Sequence, residues 1–201
     1  MHTPDEALTL RDPQALLAQT LRDWPAGSDL WVFGYASLIW RPEFAADETR
    51  GAAVHGWHRA LRMRSRINRG TPERPGLVFA LVAGGSCRGV VYRIARSRAE
   101  RELERLWLRE MPTGVYDPRW LPAATPQGTV HALAFTLGRR SEAYMGRIPD
   151  EQMLHILRHA SGRYGTTLQY LAATAQALRE RGVHDREVQR LMRLAQAHGL
   201  L

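Results

Sequence analysis

The chain contains no lysine: all 28 of its basic residues are arginine, set against 20 acids for a formal net charge of +8. A basic balance raises nucleic acid as a partner. The arginines are dispersed, however, and many sit among acids, as in Arg98, Glu100, Arg101, Glu102, Glu104 and Arg105. That pattern reads as a solvated helix face of paired charges. A small anionic substrate would be drawn to the same surface, and no nucleic-acid partner is expected. Cysteine is nearly absent. The single Cys87 cannot form an internal disulfide, which fits a reducing, cytoplasmic setting. No uninterrupted apolar run is long enough to cross a bilayer, so no membrane partner is expected. Met1 to Glu6 carries acid where a secretory signal has a basic start and an apolar stretch. Gly-Lys-Ser/Thr, Gly-x-Gly-x-x-Gly, the Gly-x-Ser-x-Gly elbow and His-Glu-x-x-His are all missing, along with the chemistries they serve. Repeats, low-complexity stretches and long linkers are also lacking.

What remains is ordinary for a globular domain: 201 residues, 44% hydrophobic and 24% charged. Its most informative stretch is Trp31-Val32-Phe33-Gly34-Tyr35-Ala36-Ser37-Leu38-Ile39-Trp40-Arg41-Pro42. An apolar strand runs into Gly-Tyr-Ala-Ser and then resumes. One reading is a strand end opening into a tight loop whose free backbone N–H groups and hydroxyl hold a carboxylate or oxyanion. The other is a plain strand–turn–strand in which Ser37 satisfies the turn.

Along the rest of the chain, Asp12 and Pro13 open a short amphipathic helix to about Trp24. Leu30 to Tyr35 is a buried strand, and Ala53 to Met63 suits one or two more. Asn68 to Gly76 is a loop by composition. Leu77–Val82 and Cys87–Ile94 read as a hairpin around Gly84-Gly85-Ser86. Ser97 with Glu100 suggests a capping box for a helix ending near Glu110. Thr129 to Leu137 is a strand, and helices follow from Glu151, from Thr166 or Thr167, and from Asp185. Strands and helices do not alternate regularly, so the class is α+β. The division expected is an N-terminal helical extension, residues 1–29, and a single domain, residues 30–201.

Glu110 is the acid singled out. It closes a helix, where a carboxylate meets the negative end of the dipole, and Pro112-Thr113-Gly114-Val115-Tyr116 follows. Solvated, it is an ordinary surface acid. Enclosed by Trp107, Met111 and Tyr116, its pKa rises and it suits proton transfer. His155 and His159 share a helix face but lack a third ligand, so no metal is expected. Cys87 reads as a small core residue, and Ser37 as a hydrogen-bonding group rather than a nucleophile.

Taken together, several stretches resemble the ChaC-like γ-glutamylcyclotransferases. Val32 to Trp40 is similar to that family's Val-Phe-Gly-Tyr-Gly-Ser-Leu-Ile-Trp loop. Gly56-Trp57-His58-Arg59, Arg69 to Leu77, Cys87 to Tyr92, Leu108-Arg109-Glu110, Tyr144-Met145-Gly146, Gly162 to Gly165, Tyr170-Leu171 and Gly182 to Asp185 follow in the family's order. The resemblance implies a small closed mixed β-barrel with helices packed around it and a helical C-terminal tail. It implies cleavage of glutathione to 5-oxoproline and cysteinylglycine without cofactor or metal, with Glu110 as general acid/base. Gly34, Tyr35, Ala36, Ser37, Leu38 and Ile39 would form the substrate cradle, with Tyr144 and Arg59 as further substrate contacts. One departure is Ala36, where the family loop has glycine. A positive φ there would strain alanine by about 1 kcal/mol or more, and close approach would leave its methyl narrowing the pocket. Alternatives on the same scaffold are cyclisation of other γ-glutamyl amines or amino acids, or a binding module without turnover.

Overall fold

A computed structural model describes residues 11–201. The expectations for Met1 to Glu6 lie outside the described residues. Helix α1 spans Pro13–Arg22 and is capped by the Asp12 carboxylate, which accepts from the Gln14 N–H. Strand β1, Leu30–Gly34, is followed by a single helical turn, α2, at Ser37–Trp40. Two long strands come next, β2 at Glu48–Ser65 and β3 at Gly76–Ile94. Helix α3 is Arg96–Glu110, and β4, Asp117–Thr125, and β5, Gly128–Thr136, form a hairpin. After an irregular stretch at 137–149 come α4 at Asp150–His159, a two-residue ladder of β6 at Ser161–Gly162 and β7 at Gly165–Thr166, α5 at Thr167–Glu180 and α6 at Arg186–Ala197.

β1 to β5 close into a barrel in the order β1-β3-β2-β4-β5. The pairs are antiparallel except where β5 meets β1 at Val32–Leu133 and β3 at Leu81–Thr136, both parallel. The α+β barrel implied by the resemblance is therefore the architecture observed. Alternation along the strands divides the core in two. Leu30, Val32, Ala80, Val82, Leu133 and Phe135 pack with Leu103, Leu106 and Trp107 of α3. Phe33, Phe79, Leu81 and Val91 pack instead with Tyr170, Leu171 and Leu178 of α5 and Leu191 of α6. Many of the dispersed arginines are paired: Arg93 meets Asp29 at 2.8 Å and Glu48 at 3.1 Å.

Three local expectations need correction. The Leu77–Val82 and Cys87–Ile94 segments are one strand, paired with β2 throughout. Gly84 and Gly85, at φ 105° and 73°, serve a β-bulge opposite Gly56 rather than a turn. Ser97 does not cap α3. The cap is Ala95, and the free amides of Ala95 and Arg96 are satisfied by Asp47 and Asp29 from distant loops. β4 is a strand that the sequence pattern does not announce.

The N-terminal segment is pinned to the barrel and to α3. Trp107 Nε1 donates to the Pro13 carbonyl at 2.8 Å, and Trp24 stacks on Trp120 with ring centroids 6.5 Å apart. Arg11 reaches the carbonyls of Gly114 and Tyr116 and the carboxylate of Asp117, just beyond the end of α3.

Between β2 and β3 the chain leaves the barrel and returns through backbone contact that only glycine allows. A Cβ on Gly76 would lie 2.0 Å from the Arg69 carbonyl oxygen and 2.5 Å from Thr167 Oγ1. Gly76→Ala is expected to cost about 1–3 kcal/mol or more by overpacking. Gly51, whose Cβ would meet nothing within 4 Å, is the control, with Gly51→Ala held within about 0.5 kcal/mol. Urea melts of the two variants would separate backbone crowding from any general intolerance of alanine.

Candidate active site

Glu110 is the last residue of α3, and its side chain is 14% exposed. It sits where two spaces meet. A small inner recess is lined by Tyr35, Ala36, Ser37, Leu38, Tyr116 and Tyr170, with Phe79 and Phe135 behind. A larger cavity of about 480 Å³ opens outward from it, shares Ser37, Tyr116 and Tyr170, and extends along the end of β2 and the 66–69 loop.

The recess is held from several sides. The Tyr35 hydroxyl donates to the Phe135 carbonyl at 2.9 Å across the barrel. The Tyr92 hydroxyl donates to the Leu38 carbonyl at 2.7 Å, and Trp40 Nε1 donates to Thr174 Oγ1 at 3.3 Å on α5. Among the described residues the N–H groups of Ala36, Ser37 and Leu38 make no hydrogen bond. They open the first turn of α2, where helical geometry leaves amides unpaired. The three residues whose amides lack partners also line the recess.

Ala36 has φ −143° and ψ −114°. The positive φ that would have strained alanine is not required. Its side chain is 5% exposed and lies in the recess wall, so the methyl narrows the space.

Arg109 ties the acid to this loop. Its Nε lies 3.0 Å from Glu110 Oε1, and its Nη1 lies 3.1 Å from Glu43 Oε2. The same guanidinium donates to Ser37 Oγ at 3.3 Å and to the Arg41 and Pro42 carbonyls. Burial raises the Glu110 pKa above its ordinary value; the Arg109 charge opposes the rise and Glu43 adds to it. Burial also drives the Tyr35, Tyr116 and Tyr170 hydroxyls upward, with the Glu110 charge contributing to each. These phenols stay protonated, so each keeps its O–H as a donor at neutral pH.

The structure brings together most of the residues expected at the site and separates others. Tyr35, Ala36, Ser37, Leu38 and Glu110 line the recess. Gly34 lies behind it as the last residue of β1, where an added Cβ would be 3.1 Å from both Leu38 Cβ and Tyr92. Ile39 is 2% exposed and packs into the core. Tyr144 is absent from the walls of both spaces. It pairs with Met63 in an isolated bridge, and its hydroxyl accepts from Arg62 at 3.4 Å. Arg59 is buried behind the loop, with a guanidinium bound to the Tyr35 and Arg88 carbonyls and to Asp185. Its geometry is that of a support for the cradle rather than a contact inside it. Of the groups expected to enclose Glu110, Tyr116 lines the recess, whereas Trp107 and Met111 belong to the core beneath.

Tyr170, which the sequence offers only as part of the family-like pattern, and the arginines near the end of β2 carry no local sign of a place at the site, since they reach it only through barrel closure and the docking of α5. Cys87 is buried and its thiol is pushed up to about 11, chiefly by burial, so it is not a nucleophile at neutral pH. The rings of His155 and His159 are 4.8 Å apart. Among the described residues no group of three metal-binding side chains forms, and no helix is long and apolar enough to cross a membrane.

Comparison with known proteins gives this geometry a context. The glutathione-specific γ-glutamylcyclotransferase of Escherichia coli K12 is 38% identical over 172 residues, covering 85% of this chain and 74% of that protein. The human glutathione-specific γ-glutamylcyclotransferase 1 is 32% identical over 151 residues, covering 73% of this chain and 68% of that protein. A crystal structure of the glutathione-specific γ-glutamyl cyclotransferase from yeast superposes with a TM-score of 0.78 at 21% identity, covering 86% of this chain and 97% of that one. The family model described as ChaC-like protein matches residues 30–198, and the chain belongs to the ChaC-like family.

Proposed function

We propose that the chain is a glutathione-specific γ-glutamylcyclotransferase, with Glu110 as its general acid/base. The observation that carries the mechanism is a single, largely buried carboxylate of raised pKa beside a recess whose backbone donors have no partner. The names of the relatives supply the substrate. The α-amine nitrogen of the γ-glutamyl group attacks its own γ-carbonyl carbon and closes a five-membered lactam. The amide bond to cysteine breaks, and its nitrogen leaves protonated. No water is consumed, and the products are 5-oxoproline and cysteinylglycine.

The nucleophile belongs to the substrate, so the protein's task is to fold the glutamyl chain and move protons. Folding it against Glu110 and the Ala36–Leu38 amides supplies the proximity term. Glu110 takes a proton from the attacking nitrogen and returns it to the departing one. The Ala36, Ser37 and Leu38 amides hold the α-carboxylate or the oxyanion that develops on the γ-carbonyl. Arg109 orients Glu110 and, through Ser37, keeps it in register with the loop.

The direct test is incubation with reduced glutathione without added metal, followed by quantitation of both products. They are expected in equal amounts, and their absence would refute the assignment. The raised pKa of Glu110 fixes a sign as well. As base, the carboxylate must be ionised, so kcat is expected to fall as pH drops through the Glu110 pKa. The acid limb then lies above the ordinary glutamate range. Measuring kcat between about pH 4 and pH 8 checks it, and an acid limb at or below the ordinary range would contradict the buried-base role.

A further inference from the structure

The outer cavity holds positive charge that the cyclisation does not use. Several of its arginines are occupied: Arg41 pairs with Glu43 at 2.5 Å, and Arg109 is divided between Glu43 and Glu110. Arg69 donates to the Tyr164 carbonyl and lies over the Tyr170 ring, 5.1 Å from its centroid. Arg163 makes no side-chain hydrogen bond or ion pair among the described residues but lies over the Tyr164 ring, 5.3 Å from its centroid. Arg64 and Arg66, at the end of β2, stack on no ring among the described residues. The Arg64 guanidinium donates only to the Met145 sulfur, at 3.1 and 2.9 Å, a weak acceptor. Arg66 makes no side-chain hydrogen bond or ion pair among the described residues, and its Nε is buried without a partner. Glu142, also on the cavity wall, pairs with neither. A desolvated guanidinium donor without an acceptor is rare in a folded protein and calls for an explanation.

The backbone around Arg66 is fixed. Ser65 Oγ accepts from the Arg69 N–H at 3.0 Å. The Ile67 and Asn68 carbonyls accept from the Arg163 and Tyr164 N–H groups at 2.8 and 2.9 Å. A Cβ on Gly162 would lie 2.5 Å from the Gly70 nitrogen and from the Ile67 oxygen, so the two loops interlock. Arg66 is therefore held against the cavity by a closely packed frame.

We propose that Arg66, assisted by Arg64, is the specificity-determining cation for the C-terminal carboxylate of the peptide half of the substrate. This rests on the glutathione reading above. With the γ-glutamyl end against Glu110 and the Ala36–Leu38 amides, where the recess opens into the larger cavity, the cysteinylglycine half extends along the outer cavity, and its terminal carboxylate is the strongest acceptor that half brings. Arg66 Nε is closed to solvent, so a carboxylate in the cavity is met by the terminal Nη groups, whose paired N–H donors match its two oxygens. The protein thereby distinguishes an intact tripeptide from γ-glutamyl compounds that end in a neutral group. Arg66 touches the carboxylate of the leaving half and takes no part in proton transfer.

The test compares glutathione with its C-terminal glycinamide, identical except for the charge. For the native protein kcat/KM is expected to be roughly 10- to 100-fold higher for the acid, with the difference mainly in KM. In Arg66→Gln the ratio of acid to amide is expected to collapse towards one, because the acid loses its partner. Arg64→Gln is expected to lower the ratio less. Thermal melts of both variants show whether fold is retained. A native protein that turns over acid and amide equally would overturn the proposal while leaving the cyclotransferase assignment intact, as would an undiminished ratio in Arg66→Gln. No 5-oxoproline from either peptide would overturn that assignment, and this proposal with it.

Discussion

Glu110→Gln is expected to give a folded protein that releases 5-oxoproline from glutathione roughly a hundred- to ten-thousand-fold more slowly. The amide keeps the size of the side chain at the end of α3, so the recess keeps its shape. It cannot accept and return a proton. Arg109 retains Glu43 at 3.1 Å and the Arg41 and Pro42 carbonyls, so the loop it braces does not lose its anchor.

The stability of this variant carries a second signature. The folded-state pKa of Glu110 lies above its unfolded value, chiefly through burial. Between those two values the folded state binds more protons than the unfolded state, so this carboxyl lowers stability as pH rises through that window. Removing its charge removes the penalty. Glu110→Gln is therefore expected to melt at or above the temperature of the native protein at pH 8, with any advantage fading as pH falls below the unfolded-state value. Loss of turnover with equal or higher stability separates a chemical role from a structural one. Undiminished turnover would take Glu110 out of the mechanism.

Arg59→Met is expected to be the most destabilising of the substitutions considered, by about 3–5 kcal/mol. The Arg59 side chain is 0% exposed, and its partner Asp185 is 17% exposed. Nη1 lies 2.5 Å from Asp185 Oδ2, Nη2 donates to the Arg88 carbonyl, and Nε donates to the carbonyl of Tyr35 in the recess wall. Asp185 also caps α6 by accepting from the Val188 N–H at 3.0 Å. One guanidinium thus joins the cradle loop, β3 and the start of α6. Methionine fills much of the volume but leaves two carbonyls and a largely buried carboxylate without their donor. Adding Asp185→Asn should recover part of the loss, since the two residues act as a unit. Urea denaturation of the single and double variants measures both effects. An Arg59→Met midpoint equal to that of the native protein would show that the pair contributes nothing to holding the loop.

Much of the site could be read from sequence where the signal was local. The apolar run ending in Gly34-Tyr35-Ala36-Ser37 marks a strand that stops for a loop. Asp12, Thr166 and Asp185 all cap the helices they precede, because a short polar side chain before an apolar period has little else to do. Glu110 stood out as an acid at the wrong end of a helix dipole.

The misreadings have physical causes. Gly84-Gly85-Ser86 carries turn chemistry, yet β3 has β2 beside it throughout, and the glycines relieve a bulge instead. β4 was hidden by Pro118 and Pro122. Proline is tolerated there because β4 pairs fully with β5 but meets β2 only at Ala53 and Val54, leaving most of its other edge free of ladder bonds. Ser97 was displaced as a cap by carboxylates from residues 29 and 47, a competition that sequence spacing cannot reveal. Arg59 was expected to contact substrate. Its burial against Asp185, 126 residues away, is a consequence of tertiary closure.

The most direct test of the cyclotransferase mechanism is the fate of solvent oxygen. The reaction would be run with reduced glutathione in ¹⁸O-labelled water, with native protein and with Glu110→Gln, and the products weighed by mass spectrometry. Intramolecular attack predicts 5-oxoproline free of solvent ¹⁸O, equimolar with cysteinylglycine and lost with the carboxylate. Glutamate carrying ¹⁸O would mean that water, not the α-amine, attacks the γ-carbonyl, and would contradict the mechanism at its centre.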